Sequence, residues 1–141
     1  MTFTAAVHAR LLLVDDDGQQ LELCAMLLKM SGFSVMTAAS PREAISVVAE
    51  HAIDIAVLDY EMPEMNGCML ADQIRTRYGD VKIILYSGTL VIPENEIANV
   101  DVFIPKAKGA VAVLARILEL TRARTISDST LLASRVPADR G

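Results

Sequence analysis

At 141 residues, with 52% apolar and 22% charged side chains, the chain has the size of one ordinary domain and enough apolar material for a core. Its 18 acidic against 13 basic residues give a net charge of -5, the wrong sign for affinity built on neutralising phosphates, which argues against direct nucleic-acid binding. The first apolar run, Leu11 to Val14, is too short for a signal peptide or a membrane span. The two cysteines, Cys24 and Cys68, lack zinc-ligand or bridge spacing and read as buried thiols in a reducing cytoplasm.

Residues 1–9 read as an N-terminal extension, with His8 solvated, and the first predicted strand runs from Arg10 to Val14. Asp17 with Gln20 forms a capping box that opens a helix through Leu23, Leu27 and Leu28 and stops at Gly32. A second strand covers Phe33 to Thr37. Ser40, Pro41 and Glu43 then start a second helix whose inward face is Ile45, Val48 and Ala49, and which ends near a solvated His51. The third strand is Ile53 to Leu58, and a third helix starts near Asn66 or Gly67 and ends at Gly79; Met62, Met65 and Met69 read as core or loop filling. The fourth strand, Val81 to Tyr86, precedes a short stretch from Gly88 to Val100 that contains Pro93, so its helix should be one or two turns at most. A fifth strand, Val100 to Ile104, leads into a fifth helix from about Gly109 to Arg122 that buries Val113, Leu114, Ile117, Leu118 and Thr121.

Continuous rather than alternating apolar runs predict strands buried on both faces, and strands alternating with helices predict a parallel sheet with right-handed crossovers. The expected fold is α/β, a doubly wound five-stranded parallel sheet with five helices. After about Thr125 the chain turns polar through to Pro137, which reads as a flexible tail over 123–141, with a helical turn around Leu131 and Leu132 as its one candidate element and no second, output domain.

In such folds ligands bind beyond the carboxyl ends of the strands. Here the first strand runs into Asp15 and Asp16, the third into Asp59, the fourth into Ser87 and the fifth into Lys106. Two like charges about 4 Å apart repel by roughly 4 kcal/mol at an effective dielectric near 20, a large fraction of a stability of about 5 to 15 kcal/mol. Converging carboxylates therefore call for a cation, and an all-oxygen donor set calls for a hard one, magnesium or manganese. A divalent ion beside a carboxylate, a lysine and a hydroxyl is equipment for moving a phosphoryl group, with Asp59 as nucleophile, Lys106 neutralising a phosphoryl oxygen and Ser87 donating a hydrogen bond. Gly88 leaves room for the group to approach.

From about Arg10 to Leu120 the chain resembles the receiver domains of bacterial response regulators, chemotaxis-regulator-like and stand-alone. Leu11 to Asp17 resembles the acidic pair after the family's first strand, and Val57 to Gly67 resembles its phosphoacceptor loop, with Asp59, Met62, Pro63, Met65 and Gly67 in register. The resemblance implies the strand order 2-1-3-4-5, Asp59 as acceptor of a phosphoryl group from a histidine kinase or phosphotransfer protein, and a magnesium shell of Asp15, Asp16, Asp59 and the Glu61 backbone carbonyl. It also implies Ser87 and Phe103 as switch residues, Glu61 and Thr89 as tuners of the phosphorylated lifetime, and a downstream protein target on a partner-binding face. A dimer formed on phosphorylation is one way such a switch can act.

Two departures stand out. The family's lysine is usually followed by a proline in a cis peptide, whereas here Pro105 precedes Lys106 and Ala107 follows it, so this bond is expected to be trans or strained. The short fourth helix implies an atypical partner-binding face.

Two other functions compete. Asp15, Asp17 and Gly18 are similar to the Asp-x-Asp-Gly of haloacid-dehalogenase phosphatases, although the later acidic pair and a cap insertion are missing. The other is a receiver-like binding module that never takes a phosphate.

Overall fold

The structure is a computed structural model that describes residues 9–122. The expectations for His8, for the remainder of the N-terminal extension, for the tail over 123–141 and for a turn around Leu131 and Leu132 lie outside the described residues.

Strands β1 (Arg10–Val14), β2 (Ser34–Ala38), β3 (Ile55–Leu58), β4 (Lys82–Ser87) and β5 (Val102–Pro105) form one parallel sheet in the order β2-β1-β3-β4-β5. Helices α1 (Gly18–Met30), α2 (Pro41–Glu50), α3 (Gly67–Arg77) and α4 (109–122) flank it. The sheet alternates between two cores. Leu11, Leu13, Ile55, Val57 and Ile84 face the α1 and α4 side, and Leu12, Val14, Ala56, Leu58 and Ile83 face the α2 and α3 side. This two-sided burial is why the central strands are continuous apolar runs. At about 1.5–3 kcal/mol for each fully buried Leu, Ile or Val, it is the main term holding the layers together.

The helix starts follow the capping chemistry with small shifts. Asp17 accepts from the N–H groups of Gln19 and Gln20, but the reciprocal bond comes from Asp15, whose Oδ1 accepts from Asp17 N at 2.9 Å. Ser40 Oγ accepts from Glu43 N, while Glu43 Oε1 reaches Ala39 N instead of the cap itself. Asn66 caps α3 by accepting from Met69 N. Gly32, at φ 100, ends α1 with Phe33 N donating to Leu28 O, a closure that favours a residue without Cβ.

Two core-facing expectations, Ala49 and Met69, are corrected, and α1 buries a stripe that leaves Leu23 out. The buried stripe of α1 is Leu21, Cys24, Ala25 and Leu28, so Leu23, about 200° round from Leu21, is 65% exposed. In α2 the buried residues are Pro41, Ala44 and Val48, which leaves Ala49 exposed. Met62 and Met65 pack partly against the core, but Met69 is half exposed on α3. In place of a fourth α-helix between β4 and β5 there is a single 3-10 turn, Ile97–Asn99, so the described residues hold four α-helices where five helices were expected. Pro93 lacks the N–H a longer helix would need, and the chain closes short bonds instead, from Glu96 N to Pro93 O and from Val100 N to Ile97 O.

Candidate functional site

The sheet order turns back between β1 and β3, and the polar ends of those strands meet there. Asp15 N donates to Ala38 O and Asp59 N donates to Val14 O, each extending a ladder by one rung, so the backbone that carries both carboxylates is held by the sheet itself. Asp15 and Asp59 are buried, at 6% and 7% exposure, while Asp16 is exposed. Carboxylate oxygens of Asp15, Asp16 and Asp59 lie within 4.8 Å of one another.

Lys106 reaches this group from the end of β5. Its Nζ donates to Asp15 Oδ2 at 2.7 Å and sits 3.4 Å from Asp59 Oδ1. No peptide bond among the described residues is cis, so the Lys106–Ala107 bond is trans, and the lysine enters the pocket without the backbone feature expected of its relatives. Ser87 is fully buried at the end of β4, and its Oγ accepts from Thr89 N at 2.9 Å. A Cβ placed on Gly88 would meet no atom within 4 Å, which leaves open space beside Ser87.

The electrostatics follow from this crowding. Burial, and then the neighbouring Asp15 charge, push the Asp59 carboxyl up to about 6, against the opposing pull of Lys106. Burial alone would lower Lys106, but its hydrogen bond to Asp15 and the fields of Asp59 and Asp15 outweigh that and hold it above the ordinary lysine range. One lysine does not compensate three carboxylates, and all the donors are hard oxygens. The set fits a magnesium or manganese ion.

The loop after Asp59 is braced at three places. Gly67 N donates to Tyr60 O at 2.8 Å, and a Cβ on Gly67 would run into the Asp59 carbonyl oxygen and come within 2.9 Å of Leu85 Cδ1, so only glycine fits. Glu64 takes up a left-handed turn at φ 75. Tyr60 Oη donates to Glu96 Oε1 at 2.7 Å, and Asn66 Nδ2 donates weakly to the same oxygen at 3.4 Å. That tie from the loop to the segment before β5 was not foreseen, since Glu96 lies in no motif. Glu61 is exposed on the same loop, and Phe103 is half buried on β5, paired in register with Leu85.

Cys24 and Cys68 are free and buried, and burial pushes both thiols up to about 11, which keeps them protonated and inert. Asp17 is committed to the N-cap of α1, which removes the second carboxylate that the phosphatase reading requires.

The sequence profile of the response regulator receiver domain matches residues 11–118. The chain belongs to the response regulator receiver family. Receiver domains are the phosphoacceptor modules of two-component systems. The response regulator MprA of Mycolicibacterium vanbaalenii is 32% identical over 122 residues, covering 84% of this chain and 53% of that protein. The transcriptional regulatory protein PrrA of Mycobacterium tuberculosis is 29% identical over 143 residues, covering 96% of this chain and 61% of that one. The chain thus spans little more than half the length of these relatives.

Among solved structures, a CheY-like receiver domain from Methanospirillum hungatei has a TM-score of 0.78 at 25% identity, covering 85% of this chain and 98% of that one. The response regulator TrrA of Thermotoga maritima, in complex with Mg(2+)-BeF, has a TM-score of 0.74 at 27% identity, covering 79% and 98%. No described helix is long and apolar enough to cross a membrane.

Proposed function

We propose that Asp59 is the phosphoacceptor of this receiver domain, and that Asp15, Asp16, Asp59 and the backbone carbonyl of Glu61 hold a magnesium or manganese ion beside it. The observation that carries the reading is the meeting of Asp15, Asp16, Asp59 and Lys106 at the end of the sheet. A bound divalent ion supplies the positive charge that lets carboxylates and phosphoryl oxygens approach one another.

A carboxylate oxygen of Asp59 attacks the phosphorus carried by a histidine kinase or phosphotransfer protein. The phosphorus–nitrogen bond breaks, and its electron pair stays on the donor's imidazole. Lys106 neutralises one phosphoryl oxygen. Ser87 gives up its bond from Thr89 N and turns its hydroxyl toward the phosphoryl group, and Phe103 follows by packing inward against Leu85. Glu61 and Thr89 flank the group and set how long it survives hydrolysis.

The unit that switches is taken as residues 10–122, working in the cytoplasm on a downstream protein. It performs self-phosphotransfer and self-dephosphorylation without turning over a substrate. The reach of Lys106 into the pocket weakens the case for a binding module that never takes phosphate.

Beryllofluoride with magnesium tests the reading. The amide resonances of Ser87 and Phe103 are expected to shift together on addition. Unmoved resonances would favour the inert binding module, and sustained multiple-turnover hydrolysis of a phosphate ester would favour a phosphatase.

A further inference from the structure

Lys106 carries a long, flexible stem and sits in a 3-10 turn, Lys106–Lys108, immediately beyond β5. Its ammonium is nonetheless held between two carboxylates from other strands, with only 18% of the side chain exposed. Something must restrict the stem. The register supplies a candidate: Tyr86 pairs with Ile104 near the end of β5, so the turn that carries Lys106 starts beside Tyr86. There the Lys106 Nζ lies over the Tyr86 ring, 5.8 Å from its centroid. The ring is itself half buried, and with Cys24 of α1 it lines a small cavity that also touches Asp15 and Asp59.

We infer that Tyr86 is a positioning residue for Lys106: its ring face forms the wall that keeps the ammonium aimed between Asp15 and Asp59. This rests on the phosphoacceptor reading of Asp59 and adds a residue to it. The ring gives the cation an attractive face beside the carboxylates. Tyr86→Phe keeps that face and Tyr86→Leu removes it while remaining apolar.

The test combines labelling by acetyl phosphate with magnesium and the proton shifts of the Lys106 Cε methylene, in the full chain. Tyr86→Leu should label roughly three- to tenfold more slowly, the range an aromatic–cation contact of this kind spans. Tyr86→Phe should stay within about twofold of the wild type. Magnesium affinity should hold in Tyr86→Phe and should not fall in Tyr86→Leu, since the acidic cluster is untouched and a released Lys106 competes less with the ion. In the wild type and in Tyr86→Phe the Lys106 methylene should be displaced upfield by the ring, and in Tyr86→Leu it should return to an ordinary lysine position. In a Lys106→Ala background Tyr86→Leu should have no further effect on labelling, because the two act through one contact.

Equal slowing in the presence and absence of Lys106 would show that Tyr86 only packs the core and would overturn the inference. An undisplaced methylene in the wild type would do the same. Wild-type protein that takes no label would instead overturn the phosphoacceptor reading, and the methylene comparison would still decide whether Tyr86 places Lys106.

Discussion

Lys106 Nζ is bonded to Asp15 at 2.7 Å and stands further from Asp59, at 3.4 Å, so the lysine neutralises Asp15 more than Asp59, the proposed acceptor. A divalent ion arriving at Asp15 competes with that ammonium. Lys106→Ala is therefore expected to bind magnesium about threefold or more tightly, since a like charge has been removed. The same variant should still take a phosphoryl group but should lose the coupled shifts of Ser87 and Phe103. Magnesium titration and beryllofluoride NMR check the two effects separately, and unchanged switching would mean that the lysine has no part in it.

Asp59→Asn is nearly isosteric and removes a buried charge that its neighbours repel. It should abolish labelling and raise metal-free stability at neutral pH by about 1–3 kcal/mol, read from urea midpoints. Label persisting elsewhere would show that the acceptor is a different residue.

The pH dependence has a definite sign. The Asp59 carboxyl is pushed up to about 6 from an ordinary value of 3.8, so the folded state holds its proton more tightly than the unfolded chain. Its contribution favours folding fully below about pH 4 and is lost as pH rises through 6. The stability advantage of Asp59→Asn should accordingly shrink between pH 7 and pH 5 in metal-free buffer. Saturating magnesium should reverse the trend in the wild type, because the ion needs the ionised carboxylate.

Gly67→Ala forces a methyl group into the Asp59 carbonyl and the Leu85 side chain. Thermal or urea unfolding should show a loss of about 1–3 kcal/mol, with labelling slowed because Asp59 itself is displaced. Wild-type stability would mean that the loop relaxes freely.

Tyr60→Phe deletes the bond to Glu96 while preserving the ring. The expected cost is about 0.5–1.5 kcal/mol, with faster amide hydrogen exchange around residues 94–100. Exchange unchanged there would show that Glu96 does not anchor the segment.

Much of this architecture was legible in the residues. The strand runs and the polar residues closing them pointed to the strand ends where Asp15, Asp16, Asp59 and Lys106 meet, because burial on both faces leaves no room for polar side chains until a strand ends. Asp17, Ser40 and Asn66 marked helix starts through local hydrogen bonds that depend little on the rest of the fold. Helix faces were harder. Leu23 and Ala49 are apolar but lie off stripes set by Cys24, Ala25 and Ala44, small residues that carry little hydrophobic signal. The Tyr60–Glu96 tie spans 36 residues and the Lys106–Asp15 bond 91, and pairings at such separations leave no local pattern. Tyr86 did sit beside Ser87 in the sequence, but its relation to Lys106 depends on the β4–β5 register.

The most direct test of the account is the intact mass of the protein before and after acetyl phosphate with magnesium, run beside Asp59→Asn and beside a magnesium-free control. The account predicts a gain of one phosphoryl group in the wild type with magnesium and no gain in either control. A wild-type mass that never changes, or a gain that survives the loss of Asp59, would contradict it.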